Sequence, residues 1–251
     1  MSDDLSSIAG QTVVVVGAGS GIGQAAARRF AELGANVVCA DRNVESAAVT
    51  AAADPGRMSS HEVDIAGDGQ AESLVAQALS RWGRIHALVN CAGIQGALGR
   101  RSHEVELEDL DAVYRVNLRG AFALSRAVIP HMLEHSYGRI VMLASIAGKE
   151  GNPNMISYST TKAGLIGMVK AQGKEYAEDG ITINAVAPAV IRTAFLDTQP
   201  QEVIDYMTAK IPMRRVGTAE EVTHLLAWMI SPGASFTTGF TFDLSGGRAT
   251  Y

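Results

Sequence analysis

"VVVVGAGSGIG", residues 13–23, joins four consecutive valines to a glycine-rich turn. The valine run is typical of a strand that is buried on both faces, and the residues after the turn have a helical pattern. Gly17, Gly21 and Gly23 follow a GxxxGxG spacing. Because glycine lets the backbone turn tightly and approach a ligand, such a unit can place a pyrophosphate at a helix N-terminus. On this stretch alone, an ordinary strand-to-helix turn is the alternative.

Short apolar runs alternate with segments of helical length along the rest of the chain. The predicted strands are 12–17, 35–41, 60–64, 85–90, 138–145, 181–188 and 239–247. The predicted helices are 22–33, 43–53, 68–82, 106–134, 155–178 and 218–230. This alternation indicates repeated βαβ units. We therefore predict an α/β protein, with residues 1–251 forming a single-domain, Rossmann-like, doubly wound fold around a seven-stranded parallel sheet.

The composition is that of a well-buried globular protein. The 251 residues are 47% hydrophobic and 19% charged, which suits one large α/β domain. The formal net charge of −5 argues against a non-specific binder of nucleic acid or anionic membranes. The N-terminus has no basic-then-apolar signal, and no apolar run approaches the roughly 18 to 20 residues of a membrane helix. We therefore expect a cytoplasmic protein without nucleic-acid or membrane partners.

Two cysteines, Cys39 and Cys91, each lie inside an apolar run. We expect both to be buried free thiols in a reducing compartment. The sequence has no CxxC or histidine-rich spacing, so we predict no metal site.

The segment 189–217 interrupts the regular alternation after the sixth predicted strand, and it contains Pro200 and Pro212. In open α/β sheets, ligands bind beyond the carboxyl ends of the strands. We therefore predict that residues 189–217 form a substrate lid.

Asp41 ends the second predicted strand, 18 residues after Gly23. An acid about 20 residues beyond a glycine turn can bind the hydroxyls of an adenosine ribose, and its charge repels a 2′-phosphate. The sequence therefore favours NAD over NADP, although the neighbouring Arg42 could soften the repulsion. Capping of the helix predicted over 43–53 is the alternative role for Asp41.

Polar residues also end the next two predicted strands. Asp64 ends the third strand, and "NCAG", residues 90–93, ends the fourth. Both lie at the sheet edge where the adenine half of a dinucleotide would rest. A cap or a turn is the competing explanation for each of them.

Tyr158 and Lys162, in "YSTTKAG" (158–164), share one face of a predicted helix. Ser145 ends the fifth predicted strand, thirteen positions earlier, and can reach the same crevice. A nearby ammonium would lower the pKa of the tyrosine and make the phenol a general acid or base near neutral pH. The serine hydroxyl would hold the substrate oxygen. A solvated surface pair is the alternative for Tyr158 and Lys162.

Taken together, these motifs resemble the short-chain dehydrogenase/reductase family over essentially the whole chain. The matching pieces are "GAGSGIG" (17–23), Asp41, "NCAG" (90–93), "VN" (116–117), Ser145, "YSTTK" (158–162), "PAVIRT" (188–193) and "SGG" (245–247). The chain departs from the family pattern at Cys91, where a second asparagine is usual.

The resemblance implies an NAD-dependent enzyme that interconverts a secondary alcohol and a ketone by hydride transfer. It adds Asn117 to Ser145, Tyr158 and Lys162 as a catalytic tetrad, in which Asn117 would support a water that leads protons to Lys162. The implied cofactor-binding residues are Gly17, Ser20, Gly21, Ile22, Gly23, Asp41, Arg42, Asp64, Ile65, Asn90, Ala92, Gly93, Tyr158, Lys162, Pro188, Ile191 and Thr193. The resemblance also implies a homotetramer, or a dimer, built partly on the helices 106–134 and 155–178. We further hypothesise that Arg248 or Tyr251 reaches the active site of a neighbouring subunit.

Polar residues in the loops after the strand ends are candidates for substrate contact. We name Ser145, Gln95, Lys149, Asn152 and Arg192. Cations among them would suit a hydroxylated carboxylate such as a sugar acid, whereas solvated loop charges are the alternative. The segments "PAVIRTAF" and "DLSGGRATY" also resemble a branch of the family that oxidises deoxy-sugar acids, for example 2-keto-3-deoxy-L-fuconate.

Other functions stay open at this point. A 3-oxoacyl or other carbonyl reductase of the same family is one alternative. A non-catalytic NAD-binding sensor or scaffold is an alternative from another class, and the complete tetrad argues against it.

Overall fold

The computed structural model describes residues 5–198 and 200–251. Residues 1–4 at the N-terminus and residue 199 in the predicted lid lie outside the described part of the chain. The described residues contain no helix that is both long and apolar enough to cross a membrane.

Seven parallel strands form the central sheet, as predicted. They are β1 (Thr12–Val16), β2 (Asn36–Asp41), β3 (Met58–Glu62), β4 (Ala87–Asn90), β5 (Gly138–Leu143), β6 (Ile181–Pro188) and β9 (Thr241–Leu244). Their order in the sheet is β3-β2-β1-β4-β5-β6-β9. The order runs outward in both directions from β1 and β4, so the strand order reverses between them. In doubly wound folds this reversal opens a crevice at the carboxyl ends of the strands.

Helices cover both faces of the sheet. They are α1 (Gly21–Glu32), α2 (Val44–Ala51), α3 (Gln70–Trp82), α4 (Leu107–Tyr114), α5 (Ala121–Glu134), α6 (Ile146–Glu150), α7 (Ile156–Glu175), α8 (Ala194–Asp197), α9 (Gln201–Ala209) and α10 (Ala219–Met229). Two further short strands, β7 (Ile191–Arg192) and β8 (Gly217–Thr218), pair with each other in parallel.

The valines of β1 supply both layers of the core. Val13 and Val15 pack with Phe30 of α1 and Leu226 of α10 on one face. Val14 and Val16 pack on the other face, with Leu74 of α3, Leu124 of α5 and Leu165 of α7. Because successive side chains of a strand point to opposite faces, a strand between two helical layers must be apolar throughout. This is the physical reason for the "VVVV" run.

Three details differ from the sequence prediction. The helix predicted over 106–134 contains a π-helical segment, Arg115–Gly120, between α4 and α5. The third strand spans 58–62 instead of 60–64, since the Asp64 carboxylate accepts a hydrogen bond from the Ala66 amide and turns the chain away from the sheet. The short helix α6, in a stretch taken as loop, begins directly after Ser145.

The predicted lid, residues 189–217, starts with β7 and ends with β8, so the two-strand ladder closes its base. Between them lie α8 and α9, and each residue of α9 keeps part of its surface exposed. Val203 and Tyr206 are the large exposed side chains of α9.

Candidate active site

A cleft of about 350 Å³ opens at the carboxyl ends of the strands around the β1–β4 reversal. Most predicted cofactor residues line it, namely Gly17, Ser20, Gly21, Ile22, Gly23, Asp41, Arg42, Asp64, Ile65, Ala92, Gly93 and Thr193. The sequence analysis did not assign a cofactor role to six others, Val16, Val63, Cys91, Ile94, Val116 and Leu143. Most of these are apolar residues. From the sequence alone, an apolar residue at a strand end that lines a cleft cannot be distinguished from one that belongs to the core.

The glycine turn is shaped by close contacts at Gly17 and Gly23. A Cβ on Gly17 would lie 2.8 Å from the Ala92 nitrogen, and one on Gly23 would lie 2.1 Å from the Gly17 oxygen. Both positions therefore exclude a side chain. Gly21 differs in that a Cβ there would meet only Thr193, at 3.6 Å, so its left-handed φ of +54° is what favours glycine.

The first turn of α1 faces this cleft. In the described part of the chain, no side chain caps the helix, since Ser20 at the N-cap makes no side-chain hydrogen bond to it. Unbonded amides at a helix N-terminus attract anions through their partial positive charge. The turn therefore fits the diphosphate of a dinucleotide, with the glycines allowing close approach.

Asp41 lies beside the turn at the end of β2. Its two carboxylate oxygens accept hydrogen bonds from the amides of Gly19, at 2.8 Å, and Asn43, at 3.0 Å. The residue that caps α2 is Asn43, whose side chain accepts from the Ser46 amide. The alternative role of Asp41 as the helix cap is therefore wrong, and its carboxylate lines the cleft.

Three other predicted cofactor residues, Asn90, Pro188 and Ile191, do not line the cleft, and neither do Tyr158 and Lys162, which are described below. The buried Asn90 side chain accepts from the Ala92 amide at 3.1 Å and so shapes the turn after β4. Pro188 ends β6, and Ile191 is buried in the core layer of α1 and α10. Asp64 both turns the chain and lines the cleft.

Ser145, Tyr158 and Lys162 come together beside the cleft, where Lys162 binds the cleft residue Leu143. Ser145 is the N-cap of α6, where its Oγ accepts from the Ala147 amide at 3.1 Å. Tyr158 forms a side-chain hydrogen bond with Ser145. The Lys162 Nζ lies 5.7 Å from the centroid of the Tyr158 ring and donates to the Leu143 carbonyl at 2.6 Å. A phenol, a hydroxyl and an ammonium thus share one corner, in which Ser145 and Lys162 are buried and Tyr158 is half-buried.

The pKa of Tyr158 differs from the expectation. We expected Lys162 to lower it, but burial raises the pKa of Tyr158 and the hydrogen bond with Ser145 opposes the rise. The reason is geometric, because the ammonium is directed to the Leu143 carbonyl. Burial also lowers the pKa of Lys162 to about 8, against a smaller opposing effect of Cys91.

Asn117 lies in the π-helical segment and is buried. Its Oδ1 accepts from the Ile94 amide at 2.8 Å, and its Nδ2 donates to the Ile94 carbonyl at 2.8 Å and to the Thr161 Oγ1 at 3.2 Å. A Cβ on Gly93 would meet both Asn117 Oδ1, at 3.2 Å, and Lys162 Nζ, at 3.3 Å. The Asn117 side chain therefore ties the loop after β4 to α7, close to the Lys162 ammonium.

The two thiols differ in their surroundings. Cys39 is buried, as expected. Cys91 is only partly buried and lines the cleft, which corrects the expectation of a second buried thiol. Its backbone amide donates to the Val16 carbonyl, so its position at the β1–β4 reversal puts it in the crevice. Desolvation raises the pKa of Cys91 to about 12, with Lys162 acting in the opposite direction.

The predicted substrate residues are less uniform. Lys149 is not a free cation, because its ammonium lies 3.2 Å from the Asp243 carboxylate and its side chain is 6% exposed. The Asn152 Oδ1 accepts from Arg248 at 3.2 Å. Gln95 is partly buried in the loop after β4, and Arg192 is exposed on β7. Ser145 is the member of this set that lies with Tyr158 and Lys162.

Asp109 of α4 joins two walls of the site, and the sequence analysis did not identify it. Its carboxylate accepts from the Ala97 amide and from the Ser157 hydroxyl, both at 2.8 Å. Ser157 directly precedes Tyr158, so Asp109 connects the loop after β4 to the first turn of α7. Acidic residues are common in the first turn of a helix because they interact favourably with the helix dipole. The linking role of Asp109 therefore could not be recognised from the sequence.

Comparisons with known proteins agree with this geometry. Residues 17–249 match the family model described as enoyl-(acyl carrier protein) reductase. The chain is 41% identical over 245 residues to 2-dehydro-3-deoxy-L-rhamnonate dehydrogenase (NAD(+)) from Sphingomonas sp. (strain SKA58), covering 97% of each chain. It is 36% identical over 242 residues to a 3-oxoacyl-[acyl-carrier-protein] reductase from Thermotoga maritima, covering 95% of this chain and 97% of that protein.

Among solved structures, levodione reductase is similar with a TM-score of 0.91 and 30% identity, covering 96% of this chain and 98% of that one. The similarity therefore extends over the sheet, both helical layers and the cleft, and confirms the resemblance drawn from the motifs. Since the family model and the relatives each span nearly the full length, the chain belongs to the short-chain dehydrogenase/reductase family of nicotinamide-dependent oxidoreductases.

Proposed function

We propose that this protein is an NAD-dependent dehydrogenase that interconverts a secondary alcohol and a ketone on a small polar substrate, specifically a deoxy-sugar acid. The observation that carries the proposal is the corner formed by Ser145, Tyr158 and Lys162 beside a cleft that Asp41 lines.

When bound, NAD supplies the hydride acceptor. The residues of this chain would bind the cofactor, orient the substrate and move the proton. The first turn of α1 would hold the diphosphate, and Asp41 would accept hydrogen bonds from the adenosine ribose. Ser145 would donate to the substrate oxygen, and Tyr158 would take the proton from the alcohol hydroxyl as the ketone forms. Lys162, held at the Leu143 carbonyl beside Tyr158, would bind the second ribose and keep the proton route positively charged.

The preference for NAD follows from charge. A 2′-phosphate would approach the Asp41 carboxylate, which is already fixed by the Gly19 and Asn43 amides and cannot turn away without losing both hydrogen bonds. Arg42 also lines the cleft and offsets part of this repulsion. The similar Sphingomonas enzyme is named for NAD(+), in agreement with this preference.

The substrate class is supported from two sides. The Sphingomonas relative is named for 2-dehydro-3-deoxy-L-rhamnonate, which is a deoxy-sugar acid. On this chain, Gln95 and Asn152 lie on loops beyond the strand ends and Arg192 lies on β7, in the segments where the substrate would extend from Ser145. The segment 189–217 is the proposed lid over that region, and it includes the partly exposed helix α9.

A 3-oxoacyl thioester is the second candidate substrate, because the Thermotoga relative is named as a 3-oxoacyl-[acyl-carrier-protein] reductase. A non-catalytic NAD-binding sensor or scaffold would have no need of Ser145, Tyr158 and Lys162 in contact, so we rank it below both enzymes.

We also propose a homotetramer in the cytoplasm. Aromatic side chains support self-association, since Trp228, Phe240 and Phe242 pack in edge-to-face pairs beside the edge strand β9, and Phe240 is exposed. Phe236 next to them is fully exposed. Light scattering after size-exclusion chromatography would measure the mass of the assembly directly, and a monomeric mass would contradict the tetramer.

The function is tested by following NADH formation from NAD⁺ over 3-deoxy sugar acids, other hydroxy acids, polyols and secondary alcohols. We expect turnover of the 3-deoxy sugar acids, and a loss of roughly 10²- to 10⁴-fold in kcat/KM for Tyr158→Phe, with NAD⁺ binding retained. Reduction of an acetoacetyl thioester with no oxidation of any sugar acid would favour the second candidate. Tight NAD⁺ binding without turnover of any compound would favour the sensor.

A further inference from the structure

We propose that residues 243–251, here called the C-terminal latch, position the wall of the substrate site formed by residues 149–152. Arg248 is the main positioning residue of the latch. This inference rests on the proposed function, in which the substrate extends from Ser145 along that wall. It differs from our earlier hypothesis, since Arg248 and Tyr251 bind the wall of their own chain.

Arg248 forms the central contact between latch and wall. Its Nε and Nη2 both donate to the Glu150 Oε2, at 2.9 and 2.6 Å, and its Nη2 also donates to the Asn152 Oδ1 at 3.2 Å. The side chain of Arg248 is 10% exposed and that of Glu150 is 27% exposed. An ion pair with so little solvent contact is more rigid than a surface pair, because loss of either partner leaves a charge that water cannot fully solvate.

A second set of contacts holds the other end of the wall. The Lys149 ammonium pairs with the Asp243 carboxylate and lies 5.0 Å from the centroid of the Tyr251 ring. The Tyr251 hydroxyl donates to the Lys149 carbonyl at 2.6 Å. Within the latch, the Asp243 carboxylate accepts from Ser245, whose hydroxyl accepts from the Ala249 amide at 3.0 Å. The latch is therefore a folded unit with its own hydrogen bonds.

The charges of the two segments are complementary. Lys149 and Glu150 provide one positive and one negative charge on the wall, while Arg248 and Asp243 provide the opposite charges on the latch. A shift of the wall by one residue would set like charges against each other. The pairing thus defines a single relative position.

The wall is continuous with the catalytic corner. It extends α6, which begins immediately after Ser145 and packs closely on α7, since a Cβ on Gly148 would lie 2.6 Å from the Lys162 carbonyl carbon. The start of α6 is therefore fixed by α7 and by the capping bond of Ser145. Its far end, where the body of a substrate would lie, is fixed by the latch.

The contacts also argue against a direct role for Arg248 as an anion binder. Its Nε and Nη2 are already bound to Glu150 and Asn152. If Arg248 acts through the wall, removal of Glu150 should have the same effect as removal of Arg248. If Arg248 binds the substrate carboxylate, removal of Glu150 should release it and leave activity intact or increased.

The first experiment measures hydrogen exchange of the backbone amides of residues 146–155 in the full chain without substrate. We expect exchange about tenfold faster in Arg248→Ala, in Glu150→Ala and in the double variant, and near wild-type exchange in Arg248→Lys. The control is Arg126→Ala, which breaks an exposed ion pair with Glu72. Unchanged exchange in both single variants would overturn the latch, whatever the enzyme turns over.

The second experiment compares the same variants in oxidation of a 3-deoxy sugar acid. We expect the KM of the sugar acid to rise about tenfold in each single variant and no further in the double variant, with kcat within about threefold and NAD⁺ affinity unchanged. A purely structural role would lower kcat through the active fraction without raising KM. A loss confined to Arg248→Ala, with Glu150→Ala fully active, would overturn the proposal in favour of direct substrate binding.

Discussion

Tyr158 and Lys162 have exchanged their usual order of proton affinity. Burial raises the pKa of the Tyr158 phenol above 10 and lowers the pKa of the Lys162 ammonium to about 8. In acidic or neutral solution both groups are protonated, so in the proposed oxidation of an alcohol the phenol must first lose its proton. Because the two groups are neighbours, titration reports the pair and not either residue alone.

We predict that kcat/KM for alcohol oxidation rises with pH from about 6 to about 10, because oxidation needs the deprotonated phenol, whose fraction grows with pH below the raised pKa of Tyr158. Ketone reduction needs the protonated phenol, which the raised pKa of Tyr158 preserves, so its rate should stay nearly flat over the same range. Initial rates in both directions between about pH 6 and about pH 10 measure these profiles. Oxidation rates that are flat across the whole range would show that proton transfer from this pair does not limit the reaction.

We predict that Asp41→Asn shifts the cofactor preference toward NADP. The amide side chain can still accept one of the hydrogen bonds from the Gly19 and Asn43 amides, but it no longer repels a 2′-phosphate. Like charges about 4 Å apart repel by several kcal/mol at the effective dielectric of a protein surface, so the ratio of kcat/KM for NADP to that for NAD should rise about 10- to 100-fold. Steady-state kinetics with both cofactors measure the ratio. Asp54→Asn, at an exposed turn, is the control, and an unchanged ratio in Asp41→Asn would remove Asp41 from the ribose site.

At the scale of elements, α4 and the π-helical segment hold the loop after β4 against α7. Asp109 binds Ala97 and Ser157, and Asn117 binds Ile94 and Thr161, so two polar side chains fasten the loop to α7 on either side of Tyr158. π-Helical turns inside helices recur at functional sites. The extra residue of such a turn rotates the helix, and here it directs Asn117 into the site.

We predict that Asp109→Ala lowers the free energy of unfolding by about 2 kcal/mol, since it leaves the buried Ser157 hydroxyl and the Ala97 amide without their charged acceptor. Activity should fall as well, because Ser157 precedes Tyr158. Asp111→Ala on the exposed face of α4 is the matched control and should change stability by less than about 0.5 kcal/mol. Denaturant unfolding of both variants measures the difference, and equal stabilities would contradict the linking role.

The elements differ in how far the sequence predicts them. The inner strands followed from apolar, often valine-rich runs, because a strand covered on both faces leaves a clear apolar pattern, whereas the edge strands β3 and β9 followed from the regular spacing. The π-helical segment 115–120 left no such pattern in the sequence. One added residue rotates the helix but leaves the apolar pattern before and after the segment looking helical. The position of Cys91 in the cleft could not be predicted from the sequence either. Whether a residue just after a strand faces the cleft or the core depends on contacts with the neighbouring strand.

The site shows the same division. Ser145, Tyr158 and Lys162 could be placed together from spacing and strand ends. The pKa values of Tyr158 and Lys162 could not be predicted from the sequence, because they depend on burial and on the Leu143 carbonyl, which no motif contains. The pairing of Lys149 with Asp243 was equally hidden, since these residues are far apart in the sequence and meet only where β9 lies beside β6.

At the scale of the whole molecule, the two ends of the sheet differ in chemistry. The carboxyl ends carry the cleft, whereas the opposite ends carry partly buried histidines. The His86 Nδ1 accepts from the Thr12 amide at 2.9 Å, and the His131 Nε2 accepts from the Ile85 amide at 3.2 Å. Both bonds need an unprotonated ring nitrogen. Burial, with smaller effects of nearby positive groups, lowers the pKa of His86 to about 4 and also lowers the pKa of His131.

The sign of the resulting pH dependence follows from linkage. The unfolded chain binds a proton at His86 with the ordinary pKa of about 6.5, whereas the folded chain does so only near 4, so the stability that His86 contributes is complete above about pH 6.5 and is lost as the pH falls through about 4. We predict that His86→Asn, whose Oδ1 can accept from the Thr12 amide without titrating, reduces the drop in melting temperature between about pH 7 and about pH 4.5. The exposed His103→Asn is the control and should keep the wild-type drop. If His86→Asn also kept the wild-type drop in melting temperature, the acid sensitivity would have to originate in the paired carboxylates, and His86 would not contribute to it.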